Sequence, residues 1–162
     1  MKPLKSIADI LNYLCESGAD PMIVRPATDK DIEMCNEDFI EFCEKPVVLP
    51  DEYVKFLKHH NGFAWNSIEL FSTDRVTDTR TDYMLNDIVS ENEDFQDHYE
   101  PLSHCLYFGR ASEEMYLYNP TKDSKRWERR DITSWRVMEE HDSFEEFFVA
   151  VVGNRWVDAW RG

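Results

Sequence analysis

The order of helix and strand signals along the chain is the feature that most constrains its fold. Segments with helical spacing and capping residues precede Gly62, whereas short strand-like segments are spread along residues 63–138. A last helix is predicted to begin at Ser143. Helices followed by a run of short strands favour an α+β fold with a central, mostly antiparallel sheet, N-terminal helices and a closing C-terminal helix, rather than alternating βαβ units.

Each of the four most clearly predicted helices begins at residues that suit a helix N-terminus. These residues are Ser6 and Asp9, Thr28 and Asp31, Pro50 and Asp51, and Ser143 and Glu146. The second helix is predicted over about residues 29–44, with Cys35 and Phe39 on its apolar face. Residues 83–97 fit either a polar helix or a long loop.

The strand candidates are short and follow one another closely. They cover residues 68–71, 105–108, 115–118, 127–132 and 135–138, with a turn predicted over 109–113. No linker or repeat interrupts the chain, so residues 1–162 are expected to form a single domain. Its predicted parts are an N-terminal helical part (1–45), a core (46–152) and a C-terminal tail (153–162).

The charge of the chain restricts the partners that it can bind. It carries 33 acidic residues against 18 Lys and Arg, a formal net charge of −15. Nucleic acids and anionic membranes repel such a surface, so a basic protein is the natural complement. No apolar run approaches the roughly 20 residues that cross a bilayer, and no secretion signal is recognisable. A cytoplasmic location is therefore expected, with the chain a monomer or a weak homodimer.

A search for catalytic, metal and cofactor motifs finds none. The four cysteines contain no C-x-x-C pair and are expected to be reduced, buried thiols. His59 and His60 are adjacent on a predicted helix and so cannot face one metal ion. No nucleophile elbow, zinc-binding helix or phosphate-binding loop is present. The prediction is a non-catalytic protein without metal or cofactor; a hydrolase with an unrecognised carboxylate and histidine site is a lesser alternative.

Two arrangements of acidic residues are candidate binding sites for a partner. On the second helix, Glu33, Glu37, Glu41 and Glu44 form a stripe opposite the apolar face, although a solvated helix face would look the same. The second is the stretch between Arg80 and Arg110, which contains no Lys or Arg. Its acidic residues are Asp82, Asp87, Glu91, Glu93, Asp94, Asp97 and Glu100. This stretch fits either a partner-binding segment or a mobile solvated loop. Trp65, outside both arrangements, is predicted as an aromatic contact with the partner.

Three motifs, in the same order, resemble those of the SUKH superfamily. They are Leu49-Pro50-Asp51-Glu52-Tyr53 with Phe56-Leu57 and Asn61-Gly62, then Tyr107-Phe108-Gly109 with Met115–Tyr118, then Asp142-Ser143-Phe144-Glu145-Glu146-Phe147. The likeness spans residues 49–152. Phe63-Ala64-Trp65 and Glu113-Glu114 depart from the small residues that the family commonly has there.

This resemblance implies a function as well as a fold. Bacterial members resemble immunity proteins that bind and silence a cognate toxin, frequently a nuclease, and other relatives are scaffolds in fungal cell-wall signalling. It therefore implies a non-catalytic immunity protein that occludes a basic toxin domain with its acidic surface. A scaffold or regulator with endogenous partners is the alternative.

Overall fold

The computed structural model of the protein describes residues 3–161. Its helices are α1 Ile7–Glu16, α2 Asp29–Phe42, α3 Asp51–His59, α4 Ile88–His98 and α5 Phe144–Phe148. Helix α5 continues as a π-helix over Val149–Val157 and ends in a last turn, α6, at Asp158–Arg161. None of the helices within the described residues is long and apolar enough to cross a membrane.

The strands form one large sheet and one small hairpin. They are β1 Met22–Ile23, β2 Phe63–Trp65, β3 Ile68–Leu70, β4 Val76–Thr77, β5 Met84–Leu85, β6 Leu106–Ala111, β7 Glu114–Tyr118, β8 Trp127–Asp131 and β9 Val137–His141. Within residues 3–161 the large sheet has seven antiparallel strands in the order β1-β2-β3-β6-β7-β8-β9, and β4 pairs with β5. The α+β fold predicted from the order of elements is confirmed.

The capping residues predicted from the sequence define the helix starts. Ser6 accepts a hydrogen bond from the Asp9 amide at 3.1 Å. Thr28 and Asp31 form a reciprocal capping box at the start of α2, with distances of 3.1 and 2.8 Å. Each bond satisfies an amide that the first helical turn leaves without a partner.

The core lies between the sheet and the helices α3 and α5. Tyr53 of α3 is fully buried, and its hydroxyl donates a hydrogen bond to the Phe71 carbonyl at 2.5 Å. Its ring lies 5.6 Å from that of Phe108 on β6 and 5.4 Å from that of Phe144 on α5. The Pro-Asp-Glu-Tyr helix therefore joins the sheet to the closing helix.

The turn predicted over 109–113 is wrong, because β6 runs on to Ala111. Gly109 pairs with Leu70 of β3, and a Cβ atom there would lie 2.6 Å from the Glu69 carbonyl oxygen. The glycine is therefore needed for close approach of two strands and not for a turn. The actual turn occupies only residues 112–113, where Glu113 has φ = 63°.

Other boundaries also differ from the predicted ones. Strand β2 was not predicted, β9 begins at Val137 and not at Trp135, and α2 ends at Phe42, before Glu44. The predicted C-terminal tail is helical over most of its length, and Val157 is fully buried. Of the four cysteines, Cys15 is exposed and the other three are buried free thiols.

Candidate protein-binding surface

The glutamate stripe on α2 faces solvent, as its spacing predicts. Glu33, Glu37 and Glu41 are exposed, whereas Cys35 and Phe39 on the opposite face are 2% and 0% exposed. Glu44 is exposed just beyond the helix end. None of these four carboxylates forms an ion pair with any residue that the structure describes.

Helix α4 lies beside α2, and polar contacts fix the two together. The Cys43 thiol is 3.9 Å from the Val89 carbonyl oxygen. The Gln96 side chain accepts a hydrogen bond from the Lys45 amide at 3.1 Å and donates one to the Lys45 carbonyl at 2.6 Å. Burial and then the Glu93 carboxylate raise the pKa of the Cys43 thiol to about 11.

The packing of α2 against α4 places exposed carboxylates on two neighbouring helices. These seven residues are here called the acidic face: Glu33, Glu37, Glu41, Glu44, Glu93, Asp94 and Asp97. The nearest titratable base on α4 is His98, whose ring lies 3.4 Å from Asp94. A hydrogen bond with the Asp94 carbonyl and the nearby carboxylates raise the pKa of His98, so the negative charge is partly offset at acidic pH.

The other acidic residues of the stretch 82–100 do not belong to the acidic face. Asp82 is exposed in the turn between β4 and β5 with φ = 59°. Asp87 is the N-cap of α4 and accepts a hydrogen bond from the Ser90 amide at 2.9 Å. Glu91 is half-buried, and burial raises its pKa although Arg110 opposes this effect.

The stretch between Arg80 and Arg110 contains no Lys or Arg, but cations from outside its interior lie close to it in the folded protein. Arg110 on β6 lies 3.4 Å from Glu91 and 3.6 Å from Glu69. Lys45 lies 3.5 Å from Glu100. Both cations are close in space because α4 packs on the sheet and beside the end of α2. Glu91 and Glu100 are therefore neutralised within the fold.

Trp65, the predicted aromatic contact, is not on the surface. It is 8% exposed, and its ring packs edge to face against Trp160 with centroids 6.0 Å apart. Trp160 itself is 46% exposed and also contacts Tyr13. Trp65 therefore anchors the C-terminal helix on the sheet, and it takes no part in the surface described here.

The cations of the last strands are occupied by neighbouring carboxylates. Lys122 lies 2.8 Å from both Glu128 and Glu140. Arg129 lies 3.3 Å from Glu114 and 3.0 Å from Glu139. Lys122 and Arg129 are therefore engaged by carboxylates of the sheet region.

Two apolar side chains on the solvent side of α2 were not predicted as part of a surface. Ile40 is 72% exposed and Met34 is 50% exposed. Both fall between the glutamates in the sequence, off the apolar stripe that contains Cys35 and Phe39. That displacement from the core stripe is the sequence signal by which they could have been found.

The described residues contain no cluster of three or more His, Cys, Asp or Glu side chains arranged to hold a metal ion. The two adjacent histidines lie at the end of α3, and His60 is half-buried against Phe56. Burial lowers the pKa of His60, and His59 adds to this effect. A groove of about 380 Å³ beside them is lined by Glu52, Lys55 and Phe144 among others.

A comparison with known protein families supports the resemblance drawn from the motifs. The model of the SMI1/KNR4 family (SUKH-1) matches residues 26–150, which include α2, α3, α4 and the whole sheet from β2 onward. A comparison with curated proteins finds no match. The family match covers well over half of the 162 residues, so the chain belongs to the SMI1/KNR4 family (SUKH-1).

Proposed function

We propose that the protein is a non-catalytic immunity protein that binds a basic toxin domain and covers its active site with the acidic face. The family and the net charge of −15 support this function. The observation that carries it is the unpaired state of the acidic face: within residues 3–161, no Lys or Arg forms an ion pair with any of its seven carboxylates. Lys45 and Arg110, two cations that lie beside α4, pair with Glu100, Glu91 and Glu69 instead.

The acidic face suits a partner that normally binds nucleic acid. Carboxylates on two neighbouring helices can occupy the positions of phosphates in a basic cleft, and the steric bulk of the helices then blocks the substrate. A coherent negative potential also speeds the encounter with a basic protein, toward 10⁸–10⁹ M⁻¹s⁻¹ at low salt. The acidic field would set the association rate, whereas the residence time depends on a few desolvated contacts.

The proposal is tested with the protein encoded by the gene beside this one, which is expected to be basic. We expect a 1:1 complex on co-purification and loss of the partner's toxic activity when the two proteins are mixed. Stopped-flow measurements should show an association rate that falls several-fold as NaCl rises from about 50 to about 500 mM, since the Debye length shortens over this range. A neighbouring protein that does not bind at all would refute the immunity function.

A pair of variants with equal charge tests the position of the binding surface. The triple variant Glu33→Gln, Glu37→Gln, Glu41→Gln removes three charges from α2. The control removes three exposed carboxylates elsewhere, with Glu16→Gln, Glu113→Gln and Glu145→Gln. We expect the first variant to slow association about tenfold at low salt and the control to slow it less than threefold. Equal effects would mean that net charge, and not the acidic face, attracts the partner.

A regulator with endogenous partners is the second candidate, because it would use the same exposed surface without a toxin. It differs in its genomic setting and in the consequence of deletion. An immunity protein is needed only while the neighbouring toxin is active, so deletion of both genes should restore growth. Growth that stays impaired after the double deletion would favour the regulator.

A further inference from the structure

Half of the exposed large apolar side chains lie in one segment of the chain. Of the eight large hydrophobic side chains that are exposed in the described residues, four lie between residues 34 and 48. They are Met34, Ile40, Phe42 and Val48, which are 50%, 72%, 51% and 82% exposed. Scattered exposed apolar residues are ordinary, but a group within fifteen residues of one helix and its following loop marks an interaction surface.

Met34 and Ile40 lie on the solvent face of α2, beside the glutamates. At about 100° per residue, Met34 and Ile40 lie roughly 60° to either side of Glu37, and Glu33 and Glu41 lie roughly 40° to either side. The solvent face of α2 is therefore a line of carboxylates with one apolar side chain on each flank. Lys30 lies on the same face in the first turn, so the apolar and acidic groups dominate its middle and C-terminal part.

The packing of the fold does not require apolar side chains at positions 34 and 40. Helix α2 buries its opposite face through Cys35 and Phe39, and nothing among residues 3–161 covers Ile40. A β-branched isoleucine at an exposed helix position also has a lower helix propensity than alanine, glutamate or lysine. An apolar side chain that neither packs nor favours the helix is available to a partner.

We infer that the solvent face of α2 is the docking helix of this protein, with Ile40 and Met34 as its apolar anchors. The inference rests on the proposed function and specifies its partner. The occupant is a basic protein that presents a groove with an apolar floor, bordered by Lys or Arg side chains. Charge complementarity identifies it, because a groove that receives Ile40 must also receive the neighbouring carboxylate of Glu37, one turn earlier on the same solvent face.

The two kinds of side chain have separable kinetic roles. Exposed carboxylates act over a distance and change the rate of encounter, whereas an apolar anchor that enters a pocket is desolvated only in the complex and changes the rate of dissociation. Helix α2 is only about 21 Å long. One face of it presents less surface than the roughly 800 Å² per partner that a standard interface buries. Glu93 and Asp97 of α4 would complete the rim.

The test uses the complete protein and the basic protein encoded by the neighbouring gene, measured by surface plasmon resonance. Ile40→Ala should raise the dissociation rate about tenfold or more and leave the association rate within about twofold. Ile40→Leu, which keeps an apolar anchor, should stay within about threefold of the wild type. The matched control is Met138→Ala on β9, which is 44% exposed and lies outside α2; it should leave both rates unchanged.

The outcomes separate this inference from the proposed function. If the partner binds and Ile40→Ala and Met34→Ala both dissociate at the wild-type rate, α2 is not the docking helix although the immunity function stands. If the neighbouring protein does not bind, the proposed function itself fails. Because Ile40 is exposed, its replacement by alanine should leave the unfolding midpoint unchanged or slightly raised, so weaker binding cannot be attributed to unfolding.

Discussion

The side-chain amide of Gln96 makes both hydrogen bonds of a peptide group with the backbone of Lys45. The Lys45 amide donates to Gln96 Oε1 at 3.1 Å, and Gln96 Nε2 donates to the Lys45 carbonyl at 2.6 Å. Gln96 is 7% exposed. This contact joins α4 to the chain that leaves α2.

Gln96→Ala should destabilise the protein, because it removes both hydrogen bonds and leaves the Lys45 peptide group without a partner in a half-buried position. We expect the free energy of unfolding to fall by about 1–3 kcal/mol, measured by urea denaturation followed by circular dichroism. Asp97→Ala, at the next and exposed position, should change it by less than about 0.5 kcal/mol. Equal losses would show that the amide contact contributes nothing specific.

A second contact links the small hairpin to the sheet through a buried carboxylate. Glu69 on β3 is 4% exposed. It accepts hydrogen bonds from the Tyr83 hydroxyl at 2.6 Å and from the Asn86 amide at 3.2 Å. Arg110 lies 3.6 Å away. The hairpin of β4 and β5 is thus held in place by a buried carboxylate.

Tyr83→Phe should weaken this attachment by one hydrogen bond to a charged group, a loss of about 1.5–3 kcal/mol in unfolding free energy. The amides of β4 and β5 should also exchange hydrogen faster. Tyr99→Phe is the matched control, since its ring stacks on Phe95 and its hydroxyl has no hydrogen bond within the described residues. A hairpin that exchanges at the wild-type rate in Tyr83→Phe would contradict the anchoring role of Glu69.

The sequence predicts the parts of this fold that depend on neighbouring residues. Ser6, Thr28 and Ser143 cap helices where the capping pattern places them, because the donor and acceptor are only three residues apart. The solvent exposure of Glu33, Glu37 and Glu41 follows in the same way from the helical period. Local geometry decides each of these features, so the sequence suffices.

Features set by distant residues could not be predicted from local patterns. The counter-charge of Glu91 comes from Arg110, nineteen residues away and on the neighbouring strand. Trp65 is covered by Trp160 from the other end of the chain. The turn expected at Gly109 fails for the same reason, because the close approach of β3 requires the glycine. An acidic segment or an aromatic residue thus has no surface role until the tertiary packing is known.

The capping box at the start of α2 predicts a dependence of stability on pH. A hydrogen bond from the Thr28 amide lowers the pKa of Asp31 below its ordinary 3.8, although burial opposes this slightly. The folded protein therefore binds this proton less readily than the unfolded chain. The stabilisation is complete above the unfolded-state pKa and is lost as pH falls through the lower, folded-state pKa.

Asp31→Asn should therefore be less stable than the wild type at neutral pH, and the difference should shrink below about pH 3.8. Thermal unfolding at a series of pH values from neutral to acidic gives the two curves. Parallel curves across this range would show that the Asp31 charge makes no contribution and that only the geometry of the cap matters.

The glutamate stripe should reduce the stability of the protein that carries it. Glu37 has Glu33 four residues before it and Glu41 four residues after it, all exposed. Each like-charged pair at this spacing costs an isolated helix about 0.2–0.5 kcal/mol. Glu37→Gln should therefore raise the free energy of unfolding by up to about 1 kcal/mol at low salt, and the gain should fade as salt screens the charges.

Glu113→Gln, at an exposed turn position outside the helices, is the control and should change the free energy of unfolding less. If Glu37→Gln gains stability and also associates more slowly with the partner, the repulsion on α2 is tolerated because the charges are used in binding. A solvated face without a partner would give the first result and not the second. Urea denaturation and stopped-flow association on the same two variants thus decide between the two interpretations of the stripe.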